Sequence, residues 1–181
     1  GKVLFSSARP QMLMETLSAE GQALLQPVWA GGSVLLPPTT DGSFFDDDLV
    51  SATGVPLILV GSAIYDPIGS VIGGLFMSVR ASDDFTSLLD LGRAGPRCDT
   101  YAFSRSGQLL SESRYDSQLR DCGLLDESPT ESSVLHVMLL DPGVDLTLDQ
   151  KGAIPLEERQ LTKMAASAAA GVDSMDLDGY R

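Results

Sequence analysis

A strand–turn–strand pattern in the middle of the chain restricts the fold more than any other sequence feature. Residues 57–65 form an apolar run, and residues 70–80 form a second run rich in β-branched and large apolar side chains. Between them, Asp66-Pro67-Ile68-Gly69 has proline and glycine at the positions that β-turns prefer. The pattern predicts an antiparallel hairpin over residues 56–80. Within its second strand, Gly73-Gly74 predicts a bulge or a close backbone approach.

Shorter patterns extend this interpretation to most of the chain. Two further hairpins are predicted, one from residues 100–104 and 108–113, the other from 134–140 and 144–148. Helices are predicted over 11–26, from Ser82 to Gly92, and from Pro155 to Gly171. A short strand is predicted at 34–36. It is expected to end at Pro37-Pro38, where a polar loop over 37–55 begins. Antiparallel hairpins that alternate with single helices indicate an α+β fold, and a doubly wound parallel sheet fits poorly.

The distribution of charge excludes one large class of function. The net charge is -13, and no lysine or arginine occurs between Arg9 and Arg80. A nucleic-acid surface needs clustered basic side chains, so nucleic-acid binding is not expected. An anionic lipid surface would repel the chain for the same reason. No stretch reaches the roughly 18 apolar residues of a membrane helix, so any membrane segment is expected outside residues 1–181.

Few residues are suited to catalysis or metal binding. A serine or cysteine nucleophile would need His136, the one histidine, as its base, and a structural role for a mid-strand histidine is the favoured alternative. Asp46-Asp47-Asp48 could join Asp41 at a calcium ion, but consecutive carboxylates do not alternate as calcium loops do. No enzyme activity, metal or cofactor is therefore predicted within these residues.

The two cysteines leave two alternatives open. Cys98 and Cys122 flank the second hairpin, and no CxxC motif accompanies them, so a zinc site is not expected. They form either one disulfide that clamps the ends of this hairpin or two buried thiols. A disulfide is typical of proteins exposed to an oxidising compartment.

Two segments resemble the Cache family. The first is Tyr65-Asp66-Pro67-Ile68-Gly69-Ser70-Val71-Ile72-Gly73, which is similar to the family's strand, "D-x-x-G" turn and "V-I-G" strand. The second runs from Gly92 through Thr100-Tyr101-Ala102-Phe103 to Gly107-Gln108-Leu109-Leu110, and resembles its "G-x-x-G … T-Y-x-F-x-x-x-G-x-L-L" hairpin. Ser104 stands where the family usually has an acidic residue. The family's amino-acid-binding set is not matched, so no amino-acid ligand is implied.

The resemblance implies a PAS-like extracytoplasmic sensor domain. Cache domains belong to membrane-bound chemoreceptors, histidine kinases, cyclases and Ser/Thr kinases, so a kinase or cyclase domain is expected elsewhere in a longer protein. Residues 1–181 are expected to form one periplasmic sensor region, with a subdomain boundary near 92–98. The implied partners are a small ligand and a second copy of the chain in a homodimer.

A sensor pocket needs a few polar groups that converge in a mostly apolar cavity. The hairpin strands would supply the walls of this cavity. For each candidate side chain, the alternative to ligand binding is a role on the surface or in packing. The candidates for ligand binding are Tyr65, Arg80, Tyr101, Arg105 and Arg114. The alternative function is a structural or protein-interaction module, including dimerisation, that binds no small ligand.

Overall fold

The computed structural model describes residues 16–40, 54–92, 95, 99–127, 131–144 and 154–172. The chain divides into two compact units, Gly1–Arg80 and Ala81–Arg181. Both helix and antiparallel strand pairing are present, as the α+β prediction requires. The expectation of one sensor region with a subdomain boundary near 92–98 stays a prediction.

The first unit contains two short helices and a three-stranded antiparallel sheet. Its elements are α1 (Ala19–Leu24), α2 (Gln26–Trp29), β1 (Ser33–Thr39), β2 (Leu57–Tyr65) and β3 (Val71–Arg80), with sheet order β1-β2-β3. Residues 11–15 of the predicted helix over 11–26 lie outside the described residues. Its start is corrected, because Ser18 caps α1 by accepting a hydrogen bond from Gly21 N at 2.9 Å. Pro27 lies in the first turn of α2 rather than stopping a helix.

The predicted hairpin over 56–80 is confirmed. β2 and β3 pair from Leu57 opposite Arg80 to Tyr65 opposite Val71. The turn depends on Asp66, whose Oδ1 accepts hydrogen bonds from Ile68 N at 3.0 Å and Ser70 N at 2.8 Å. Such an aspartate-centred turn is locally favourable because the side chain replaces missing backbone partners.

The bulge expected at Gly73-Gly74 lies one residue earlier, and a close contact to the glycine backbone occurs at Gly74 only. Ile64 pairs with Gly73 and Tyr65 with Val71, so Ile72 is the extra residue of a bulge. A Cβ on Gly74 would lie 2.8 Å from the ring of Phe76. On β2, a Cβ on Gly61 would lie 2.5 Å from the same ring. The Phe76 ring therefore covers two backbone positions that have no side chain.

The prediction that Pro37-Pro38 ends the first strand is wrong. β1 continues to Thr39, which pairs with Leu57, although the register shifts between Leu36 and Thr39. Proline donates no backbone hydrogen bond, so it is tolerated in a strand at a sheet edge or beside an irregularity. Among the described strands, β1 pairs on one side only, and the register shift includes both prolines, so both conditions hold there.

The two faces of this sheet differ in burial. On one face, Val28 of α2 is fully buried, and Trp29 lies edge-on to Phe76 with ring centroids 6.1 Å apart. The opposite face, defined by the cross-strand row Leu35, Val60 and Met77, exposes large apolar side chains. Leu35 and Leu75 are 70% exposed and Met77 is 59% exposed.

The described part of the second unit contains five helical segments and a set of short pairings. The helical segments are a π-helical turn (Ala81–Phe85), α3 (Thr86–Asp90), α4 (Asp116–Asp121), a 3-10 turn (Leu156–Glu158) and α5 (Lys163–Ala169). Single antiparallel bridges join Phe103 to Leu109, Gln108 to Met138 and Leu140 to Leu161. These bridges pair four extended segments one after another, which contain Phe103, Leu109, Met138 and Leu161. Leu109, Leu125 and Val137 form a buried hydrophobic cluster in this unit.

The second predicted hairpin is present in shortened form. Ser104 N donates to Gln108 O at 2.8 Å and Leu110 N to Ala102 O at 2.8 Å, around a turn that contains Gly107 at φ +88°. Beyond these bonds, Ala102 N donates to the side-chain oxygen Ser111 Oγ at 2.9 Å instead of to a backbone carbonyl of the opposite segment. The hairpin therefore loses its backbone pairing earlier than the predicted range of 100–113.

Two other predictions for this unit need correction. Val134 and His136 lie in a turn, with Leu135 at φ 65°, so His136 is not in the middle of a strand. Of the predicted return strand, residues 145–148 lie outside the described residues. The helix predicted from Pro155 is interrupted, because Asp141 N donates to Gln160 O at 2.8 Å. This pairing holds the chain extended before α5, which ends before Gly171 as predicted.

Candidate functional site

The second unit contains an open cavity of about 330 Å³. One wall is a single stretch of the shortened hairpin, and the other belongs to α5. The lining residues are Tyr101, Ala102, Phe103, Ser104, Arg105, Ala168 and Ala169. Two of the five side chains predicted to bind a ligand, Tyr101 and Arg105, thus lie at one cavity.

Side-chain hydrogen bonds and aromatic packing hold the hairpin wall in place. Ser104 Oγ accepts from Gln108 N at 3.1 Å and lies 2.7 Å from Ser106 Oγ. Tyr101 and Phe103 have ring centroids 6.3 Å apart at an interplanar angle of 51°. These two aromatic rings pack on the Leu109, Leu125 and Val137 cluster, so the core of the unit supports the wall.

Small side chains on α5 make room for the cavity. Thr162 begins the helix, and its Oγ1 accepts from Ala165 N at 3.3 Å. Ala165 is fully buried, whereas Ala168 and Ala169 line the cavity. A helix built from alanine forms readily and leaves space that larger side chains would fill.

The electrostatic character of the cavity comes from Tyr101 and Arg105. Burial, and secondarily the negative charge of Asp99, raise the pKa of the Tyr101 phenol above its ordinary value. The hydroxyl therefore stays protonated, and it lies 3.9 Å from Met164 Sδ. Arg105 is exposed and forms no ion pair within the described part of the chain. In a chain of net charge -13, an exposed guanidinium beside a cavity is suited to an anionic group.

The other three predicted ligand residues lie elsewhere. Tyr65 and Arg80 belong to the first unit, where the Tyr65 hydroxyl donates to the carbonyl oxygen of Gly31 and Arg80 is the last residue of β3. Arg114 belongs to the second unit but is not in the cavity lining. Its guanidinium lies over the Tyr115 ring, 5.1 Å from the centroid. Their ligand-binding role stays a prediction.

His136 and Cys122 are not part of the cavity lining. His136 Nε2 is 3.2 Å from Glu131 Oε1, and its Nδ1 is 3.0 Å from Ser132 O. Both ring nitrogens therefore face acceptor oxygens instead of a hydroxyl or thiol. Cys122 is half-buried at the end of α4. Cys98 lies outside the described residues, so the disulfide stays a prediction.

Sequence reasoning missed the alanines and Phe103 as cavity residues. The alanine-rich run at 165–170 was visible in the sequence, but nothing in it indicates which part of the chain α5 faces. Among the described residues, no group of three or more histidine, cysteine or acidic side chains is placed to hold a metal ion. No helix in the described ranges has the length and apolar character needed to cross a membrane.

Comparison of the chain with protein-family models, curated proteins and solved structures finds no match.

Proposed function

We propose that this chain is the extracytoplasmic sensor module of a membrane-bound signalling protein and binds a small ligand in the cavity between the hairpin and α5. The observation that carries the proposal is the cavity itself, at which Tyr101 and Arg105 meet the alanines of α5. Ligand pockets typically measure roughly 300–1,000 Å³ and combine apolar walls with few polar groups. The Cache-like motifs and the ordered pairing of four segments add support for a PAS-like fold.

The lining supports a small ligand with an anionic group and an apolar body. Arg105 would bind the anionic group through charge-assisted hydrogen bonds, while Tyr101 and Phe103 contact the apolar body. The cavity lies at the lower end of the usual volume range, so a compact carboxylate fits better than a nucleotide. The chain's own role is binding, and the output activity belongs to another part of the signalling protein.

Filling the cavity tests this function. Ala168→Leu places a large side chain in the cavity, whereas Ala166→Leu adds the same side chain on α5 outside the cavity lining. Thermal-shift screening with small aliphatic and aromatic carboxylates should identify binders to the parent protein and to Ala166→Leu. Calorimetry should then show at least about tenfold weaker binding to Ala168→Leu and to Arg105→Gln. Equal affinity of all variants, or no binder in the library, would count against the proposal.

A second candidate function is dimerisation through the exposed face of the first unit's sheet. Leu35, Leu75 and Met77 expose most of their surface there, and no charged side chain lies in the cross-strand rows that contain them. A chain of net charge -13 can approach its own copy most easily where charge is absent. Contiguous exposed apolar patches of a few hundred Å² often mark interaction sites. The proposed occupant is a second copy of the chain.

Sedimentation at rising protein concentration tests dimerisation separately from ligand binding. Leu75→Lys should keep the chain monomeric, because a charge buried in an apolar interface is unfavourable. Ile68→Lys is the matched control, since Ile68 lies in the β2–β3 turn and is 88% exposed. A parent protein that stays monomeric throughout would leave ligand binding as the one proposed function.

A further inference from the structure

One methionine of the second unit has a hydroxyl group at its sulfur. Met164, in the first turn of α5, is 45% exposed, so nearly half of its surface is open to solvent. The Tyr101 hydroxyl donates to Met164 Sδ at 3.9 Å. Met77 and Met138 are similarly exposed, at 59% and 40%, but within the described residues neither sulfur has such a donor. Met164 therefore combines access from solvent with a polar neighbour.

Met164 lies beside the cavity, although it is not among the lining residues. Ala168 lines the cavity and follows Met164 by four residues on α5. Residues four apart share one face of a helix, so Met164 lies one turn before the cavity on the same face. Tyr101 belongs to the opposite wall. The contact between Tyr101 and Met164 thus joins the hairpin to α5 at the margin of the cavity.

Both partners of this contact are supported by the fold. The Tyr101 ring packs on the buried hydrophobic cluster of the unit and lies 6.3 Å from the Phe103 ring. On the other side, Thr162 N donates to Leu139 O at 3.0 Å, which holds the start of α5. The hydroxyl and the sulfur are therefore presented to each other by two anchored segments.

We propose that Met164 is an oxidation site at which a hydroperoxide forms a sulfoxide, and that the sulfoxide oxygen accepts a hydrogen bond from the Tyr101 hydroxyl. The sulfur attacks one peroxide oxygen with an electron pair, so an S–O bond forms and the O–O bond breaks. The thioether is oxidised, and the peroxide is reduced to water or to an alcohol. This modification does not rest on the proposed binding of a small ligand.

A sulfoxide is a better partner for the hydroxyl than a thioether is. The thioether sulfur is a weak acceptor, whereas oxidation makes the side chain polar. The separation of 3.9 Å between Tyr101 Oη and Met164 Sδ exceeds the roughly 2.7 Å of a hydrogen bond between two oxygens. An oxygen carried by the sulfur can therefore lie within reach of the hydroxyl. The new polar group then has a partner, which lowers the penalty of placing it beside apolar packing.

Oxidation of Met164 would change the cavity as well as the helix. Tyr101 lines the cavity, so holding its hydroxyl at the sulfoxide fixes one wall and brings a polar group to the margin. Methionine sulfoxide reductases return the sulfoxide to the thioether, so the change is reversible. Exposure to peroxide is thereby coupled to the contact between the hairpin and α5.

Peroxide treatment of the intact folded chain tests whether Met164 is modified. Peptide-resolved mass spectrometry should show the addition of one oxygen at Met164 at a rate similar to that at Met77, since exposure governs susceptibility. A Met164 that stays reduced while Met77 and Met138 are oxidised would overturn the proposal.

Tyr101→Phe tests the hydrogen bond, because it removes the hydroxyl and keeps the ring. Peroxide also oxidises the other methionines, so Met164→Leu, treated in the same way, is the matched control in both backgrounds. After subtraction of this control, oxidation of Met164 should lower the melting temperature by about 2–4 °C more in Tyr101→Phe than in the parent. Equal shifts in the two backgrounds would rule out the hydrogen bond.

A measurement on the parent keeps the test independent of how well Tyr101→Phe folds. Carbon-13 NMR of Tyr101 Cζ, the carbon that carries the hydroxyl, should show a changed chemical shift after peroxide treatment. The same signal should stay unchanged in treated Met164→Leu. A Tyr101 signal that does not respond to oxidation of Met164, or that responds equally in Met164→Leu, would contradict the proposal.

Discussion

At the scale of single residues, Phe76 shows how one aromatic side chain determines its neighbours. Its ring lies where side chains on Gly61 and Gly74 would otherwise be, and it packs edge-on against Trp29. An aromatic ring contributes a large contact area, so Phe76 fills the space that Gly61 and Gly74 leave on the sheet face under α2. As a consequence, positions 61 and 74 cannot take a residue larger than glycine unless the Phe76 ring moves.

Replacing Gly74 by alanine should destabilise the first unit. The new Cβ would lie 2.8 Å from the Phe76 ring and 2.9 Å from Val28, so one of them must move. We expect the free energy of unfolding to fall by about 1–3 kcal/mol, measured by urea denaturation.

The neighbouring Gly73 supplies the control for this prediction. A Cβ on Gly73 meets nothing within 4 Å, so Gly73→Ala should change stability by less than about 0.5 kcal/mol. Adding Phe76→Leu to Gly74→Ala should restore part of the loss. Equal effects at Gly73 and Gly74 would show that the Phe76 contact is not the cause.

At the scale of elements, local sequence predicted the β2–β3 hairpin because its turn is determined by adjacent residues. Asp66 accepts hydrogen bonds within the turn, Gly69 adopts the positive φ that the turn needs, and the apolar strands on either side pair with each other. The segment at 134–140 has equally apolar residues but folds into a turn and single bridges. Its conformation is determined by Leu109 and Leu161, which are distant in sequence, and no local pattern contains that information.

Asp66→Ala tests how far the turn stabilises the hairpin. Removing Oδ1 leaves the backbone N–H groups of Ile68 and Ser70 without this acceptor, although solvent can partly replace it. We expect a loss of about 1 kcal/mol in unfolding free energy. Asp66→Asn keeps an acceptor oxygen and should lose less than half as much, in the same denaturation experiment. An equally large loss in both variants would assign the effect to charge instead of to the turn.

At the scale of the whole molecule, the sequence predicted some of the residues of the candidate site but not the others. Tyr101 and Arg105 could be identified because they lie in a hairpin with recognisable turn residues. Ala168 and Ala169 could not, because their role depends on where α5 packs.

The disulfide between Cys98 and Cys122 is a prediction for the whole chain, since it depends on the compartment in which the protein resides. Mass spectrometry without reductant should detect the bridge, and Cys98→Ser should lower unfolding free energy by about 3 kcal/mol under oxidising conditions. The same substitution should have little effect in the presence of a thiol reductant. Two free thiols in the parent protein would weaken the extracytoplasmic assignment.

The prolines of β1 give the first unit's sheet two unequal edges. Pro37 and Pro38 carry no N–H group, so β1 lacks two backbone donors where its register with β2 shifts. A strand that tried to extend the sheet beyond β1 would meet a stretch without these donors. β3 has no proline in its ten residues. Growth of the sheet by strand addition, in assembly or in aggregation, should therefore begin at β3, and a proline placed there would oppose it.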